Sequence, residues 1–85
     1  MKAKMITGDQ LKAARSVSGF SVQQLSDVTG LATMTIKRYE SSRGVPKSRK
    51  GHLELLKTFF EARGIEFVGA PDEGPGIRIW GRDSG

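Results

Sequence analysis

Eighty-five residues, 14 of them Lys or Arg and 9 Asp or Glu, give a formal charge of +5 and are enough for one domain with a moderately deep core. The absence of Cys removes disulfide and thiolate-metal frameworks, and the single His52 cannot by itself hold a metal or run general-base chemistry. No apolar run approaches the roughly 20 residues of a membrane span, and the basic start Met1 to Met5 lacks an apolar signal segment, so a soluble cytoplasmic protein is expected.

Residues 1–5 read as a flexible arm. Thr7 then signals a helix N-cap, with Gln10 three residues on to bond back to it and Ile6 placed to pack on Leu11. This first helix should run to about Ser18 and stop at Gly19, with Leu11, Ala14 and Val17 on its apolar stripe. The same signature recurs at Phe20, Ser21, Gln24 and Leu25, which opens a second helix near Val22 that ends before Gly30. A third helix is expected over Thr33 to Ser41, with Ile36 and Tyr39 on one face and Thr33, Met34, Lys37 and Arg38 on the other.

Ser42 to Lys50, interrupted by Gly44 and Pro46, reads as an exposed loop. Leu53, Leu56, Phe59 and Phe60 then recur at helical spacing from about Gly51, and Arg63 with Gly64 reads as a basic last turn and a C-cap. Phe59 and Phe60 cannot point the same way, so either one faces the hairpin or a partner, or both pack within the monomer. After Gly64 the period changes to two. Ile65 to Val68 and Ile77 to Trp80 flank a turn-rich stretch and predict a β-hairpin. Only a register opposing Phe67 to Ile77 or Ile79 puts Ile65, Phe67, Ile77 and Ile79 on one core face, leaving Glu66, Val68, Arg78 and Trp80 outside. Residues 81–85 read as a frayed end.

Charge is distributed unevenly over these elements. Lys37, Arg38, Arg43, Lys47, Arg49 and Lys50 lie between positions 37 and 50 with one acid, Glu40, so this segment carries the whole formal excess and the rest of the chain is neutral. Such a concentration is the footprint of a surface that meets a phosphate backbone. The helices preceding it match a helix-turn-helix, in which the second helix enters the major groove. Ser26 is small where the two helices cross, Gly30 suits the turn, and Leu25, Leu31, Ile36 and Tyr39 supply the apolar backing.

With these residues in place, positions 6–63 resemble the phage-repressor and Cro class of helix-turn-helix domains, often called xenobiotic-response-element-like. The resemblance is carried by Leu11-Lys12-Ala13-Ala14-Arg15, Ser21 with Gln23-Gln24-Leu25-Ser26, Gly30-Leu31 and Thr35-Ile36-Lys37-Arg38-Tyr39-Glu40. It implies a four-helix repressor-like domain over 6–64, which with the two-stranded antiparallel hairpin read over 65–80 makes the expected fold mostly α with a C-terminal β-hairpin. It further implies operator binding, usually as a homodimer on a palindrome, with repression or autoregulation as the outcome, and an ion pair between Arg15 and Glu40. Three departures stand out. Ala32 replaces the Ser or Thr that often precedes the reading helix, so Thr33 would take over as cap. Val22 replaces a phosphate-binding Gln, and the hairpin replaces a fifth helix.

The expected partner is double-stranded DNA. Base reading falls to Thr33, Met34, Lys37 and Arg38, with Arg38 the candidate for a bidentate guanine contact and Met34 for a thymine methyl. Phosphate contacts fall to Ser21, Gln23, Thr35, Arg43, Lys47, Arg49 and Lys50. Val68, Arg78 and Trp80 form a candidate dimer interface, either through strand pairing across a two-fold axis or with Trp80 as an anchor. His52 reads as a surface residue near phosphate. The competing expectation is a protein-interaction module, or an antitoxin-like partner of another protein, working through the hairpin. No paired carboxylates, activated nucleophile or phosphate-cradling Gly motif points to an enzyme, and no cofactor, metal or small-molecule substrate is expected.

Overall fold

Local side-chain chemistry starts the first two helices. In the computed structural model, which describes residues 5–80, the Thr7 hydroxyl accepts the Gln10 amide at 3.1 Å and the Gln10 side chain accepts the Thr7 amide at 2.9 Å, opening α1 (Gly8–Val17). Ser21 and Gln24 repeat the exchange at 3.0 and 2.9 Å and open α2 (Val22–Thr29). A cap of this kind contributes about 1 kcal/mol. Gly30, at φ 81°, ends α2 in the left-handed conformation that only Gly adopts freely. The expectations for residues 1–4 and 81–85 lie outside the described residues.

The next two helices depart from the sequence reading at their ends. α3 (Thr33–Glu40) is capped by Ala32 without a side-chain hydrogen bond, so Thr33 is its first helical residue and not its cap, and Ser41 lies just beyond its end. Ala32 already has extended backbone angles, which is all the geometry of the cap requires. α4 (His52–Glu61) ends at Ala62, two residues before the expected Gly64 cap. Arg63 and Gly64 continue the turn through amide bonds to the Phe60 and Glu61 carbonyls, and Gly64, at φ 88°, then redirects the chain into the hairpin. No helix among the described residues is long and apolar enough to cross a membrane.

The hairpin pairs β1 (Ile65–Val68) with β2 (Gly76–Ile79), antiparallel, with Phe67 opposite Ile77 and Ile65 opposite Ile79. This is the register that hydrophobic parity demands. β2 is one residue shorter at its end than expected: Trp80 lies past the strand, where its amide bonds the Gly64 carbonyl at 2.7 Å. Ile79 also departs from expectation. It remains 42% exposed, because it sits at the end of β2 remote from the contact with α1.

One core joins the four helices and β1, with Ile77 of β2 packed half-buried against it. Ile6, Leu11 and Ala14 of the first helical region, Leu25, Leu31, Ile36 and Tyr39 of the next two, Leu56 and Phe60 of α4, and Ile65 and Phe67 of β1 are buried together. Adjacent Phe59 and Phe60 both pack within the monomer. Phe60 meets Phe67 edge-on at 6.4 Å, while Phe59 lies 5.6 Å from Phe20.

The hairpin docks on the helices through a polar contact as well. Gln10, 2% exposed, donates its side-chain amide to the carbonyls of Val68 at 3.0 Å and Gly76 at 2.9 Å while its oxygen completes the Thr7 cap. One buried amide thus starts α1 and clamps both strands. Gln10→Ala removes three hydrogen bonds at a site from which water is excluded, so it is expected to lower stability by about 1–3 kcal/mol, read as a lower urea midpoint at unchanged slope.

Candidate nucleic-acid interface

The candidate reading helix is held from behind at both ends. At its start, the Thr29 hydroxyl donates to the Leu25 carbonyl at 2.7 Å and accepts the Leu31 amide at 3.3 Å, tightening the turn around Gly30. Leu31 and Ile36 are buried beneath it, and Ser26 is half-buried between the helices. At its end, Arg15 of α1 grips Glu40 through two hydrogen bonds, Nε to Oε2 at 2.6 Å and Nη2 to Oε1 at 3.0 Å. The remaining Nη1 donates to the Phe20 carbonyl at 2.9 Å, one residue before α2 is capped. This fork therefore ties α1, the α2 start and the α3 end to one another.

The pair is nearly withdrawn from solvent, with side-chain exposures of 15% and 7%. Hydrogen bonding to Glu40 raises the Arg15 pKa above its ordinary value, against the opposing effect of burial. A raised pKa in the folded state stabilises the fold below the unfolded value and is lost only as pH climbs through the folded one. Both lie above the working range, so the Arg15 contribution is complete at neutral pH.

Glu40 is thereby turned inward and away from the cations around it. Along α3, Met34, Lys37 and Arg38 form the exposed face, with Met34 80% exposed, while Thr33 and Thr35 are half-buried at its margins. The Arg38 guanidinium lies 5.4 Å from the Tyr39 ring centroid. Arg43, Lys47, Arg49 and Lys50 are exposed in the segment that follows. Among the described residues, none of these six cations has a carboxylate within ion-pair reach.

The segment carrying four of them departs from the expected exposed loop, since Pro46 is buried and Val45 half-buried at its centre. The Gly44 carbonyl accepts the Gly8 amide at 3.1 Å and the Ser42 hydroxyl at 3.0 Å. Gly8 permits this approach. A Cβ there would overlap the Ser42 and Tyr39 carbonyls, a constraint invisible in the sequence because Gly8 opens a regular helix. His52 also departs from expectation: it is half-buried, and its Nδ1 lies 2.7 Å from the hydroxyl of buried Tyr39. It fastens the first turn of α4 to the back of α3 and is not a free surface group.

The remaining predicted residues fall in two places. Ser21 is exposed at the α2 start with its oxygen occupied as a cap, and Gln23 donates to Asp27 at 3.0 Å. Val68 lies at the turn end of the hairpin with its carbonyl held by Gln10, whereas Arg78 and Trp80 come together at the open end. There the Trp80 indole donates to Glu66 at 2.6 Å, and the Arg78 guanidinium lies 5.4 Å from the indole ring and 3.7 Å from Glu66. Trp80 is 56% exposed.

No protein-family model matches this chain, and neither the curated proteins nor the solved structures contain a match to it.

Glu40→Gln leaves the Arg15 guanidinium without its counter-charge in a largely enclosed site. It is expected to lower stability by about 3 kcal/mol, read by chemical denaturation at neutral pH.

Proposed function

We propose that this protein is a sequence-specific DNA-binding regulator that reads the major groove with α3, acting as a dimeric repressor of a palindromic operator in the cytoplasm. One observation carries the reading. The net charge of the chain is gathered on the exposed face of α3 and the anchored segment after it, and the one acid among those cations is turned into the core by Arg15. Glu40 neutralises a structural partner and leaves the surface unopposed, which favours a polyanion.

Division of labour follows from where the side chains project. Lys37, Arg38 and Met34 extend from the middle of the helix face toward base edges, with Thr33 at its margin. Arg43, Lys47, Arg49 and Lys50 flank them for phosphates, joined by Thr35 and by Ser21 and Gln23 at the α2 start. Anchoring through Gly8, Gly44 and Pro46 supports this assignment, because a restrained segment loses less conformational entropy on binding than a free loop. The resemblance to repressor domains is consistent with the same roles. Dimerisation would use the hairpin, where Ile79 and Trp80 leave apolar surface exposed beside Arg78 at the open end, with Val68 at the turn end of the same hairpin.

Selection of bound sequences from random duplex DNA, followed by salt titration, tests the reading. A palindromic consensus bound about 10³-fold or more above a scrambled duplex is expected. Arg38→Ala should relax one consensus position, at a loss of roughly 1–3 kcal/mol. Lys47→Gln should weaken all duplexes alike and reduce the salt slope by about 0.9. Uniformly weak binding without a consensus would overturn the proposal and shift attention to a protein partner at the exposed Trp80 surface.

A further inference from the structure

Arg63 lies outside the basic segment, just beyond α4, and is exposed. Its guanidinium carbon sits 4.2 Å from the Phe59 ring centroid and 5.5 Å from that of Phe20. The two rings are themselves 5.6 Å apart and tilted by 59°, so they form a bent apolar platform beneath one cation. Among the described residues no carboxylate lies within ion-pair reach of Arg63, and no hydrogen bond engages its side chain. Lys57 and Glu61 of the same helix pair with each other at 2.8 Å.

A guanidinium resting on aromatic rings is restrained while its N–H groups remain available at the perimeter of its plane. That arrangement suits a fork that grips an oxyanion. The location indicates which one. Phe20, one half of the platform, immediately precedes Ser21, the cap of α2, and its carbonyl is held by Arg15. Arg63 is thus carried to the α2 start, where Ser21 and Gln23 stand at the proposed edge of the DNA footprint.

We infer that Arg63 is a phosphate-binding residue of the DNA interface, held on the Phe20 and Phe59 rings so that it grips the backbone beside the start of α2. This rests on the DNA-binding reading above. It adds to that reading a contact remote in sequence from the basic segment, supplied by the end of α4. The contact is to phosphate and carries no sequence information, so it contributes affinity equally on every duplex.

Two variants and one chemical map test this. Arg63→Gln should weaken binding to the selected and the scrambled duplex by the same factor and lower the salt slope by about 0.9, with helical content unchanged. Arg63→Lys keeps the charge and loses the fork. It should retain the slope, and phosphate-ethylation interference on the selected duplex should weaken at a single backbone position relative to the parent protein. The inference is overturned if Arg63→Gln keeps the parent slope while Lys47→Gln lowers it, or if the interference maps of the parent and of Arg63→Lys coincide. If the parent protein itself shows no salt-dependent binding to either duplex, the DNA-binding reading fails and this inference falls with it, a result distinct from an unchanged slope in one variant.

Discussion

The Arg15 fork is the charged contact that fixes the end of α3 against α1 and the start of α2. Its three donors reach two elements at once, the Glu40 carboxylate at the end of α3 and the Phe20 carbonyl at the start of α2. Short helices of eight residues have little stability of their own, because nucleation fixes several residues before many hydrogen bonds are gained. Their mutual angle must come from tertiary contacts. The fork supplies a directional one, whereas the apolar contacts of Leu25, Leu31 and Ile36 supply most of the free energy without fixing direction.

That interaction also shapes the electrostatics of the outer surface. An exposed Glu40 would pair with Lys37 or Arg43 and weaken the local field. Burial against Arg15 moves the negative charge to the back of the helix. Stability and surface potential are thus coupled at one residue, and both follow from the same two short hydrogen bonds.

Polar contacts elsewhere play a comparable part. The Gln10 amide links the α1 cap to both strands, and His52 links α4 to the Tyr39 hydroxyl behind α3. In a chain this small the apolar core is limited, so contacts that specify where an element docks matter beyond their modest individual energies. Gly8 and Gly64 complement them by absence of bulk. A side chain at Gly8 would collide with the carbonyls of Tyr39 in the last turn of α3 and of Ser42 just after it, and one at Gly64 with that of Trp80.

Much of this architecture is legible in the sequence, since it depends on neighbours in the chain. The two capping boxes, the Gly30 turn, the helical spacing of Leu53 to Phe60 and the parity that sets Phe67 opposite Ile77 are all local patterns, and so is the run of cations from Lys37 to Lys50. Apart from the cap of α3, which passed from Thr33 to adjacent Ala32, the expectations that failed did so where the deciding contact lay far along the chain. Gly64 gave up the expected cap to turn toward Trp80, His52 found Tyr39, Pro46 was buried with its segment tied to Gly8, and Ile79 lost its cover at the end of β2. The same holds for the candidate interface. Composition marks the cations of α3 and its following segment, and the Arg15–Glu40 pair implied by the resemblance is present and turns the acid inward, but only the fold carries Arg63 to the start of α2, because side-chain direction and long-range proximity are properties of packing and leave no trace in local spacing.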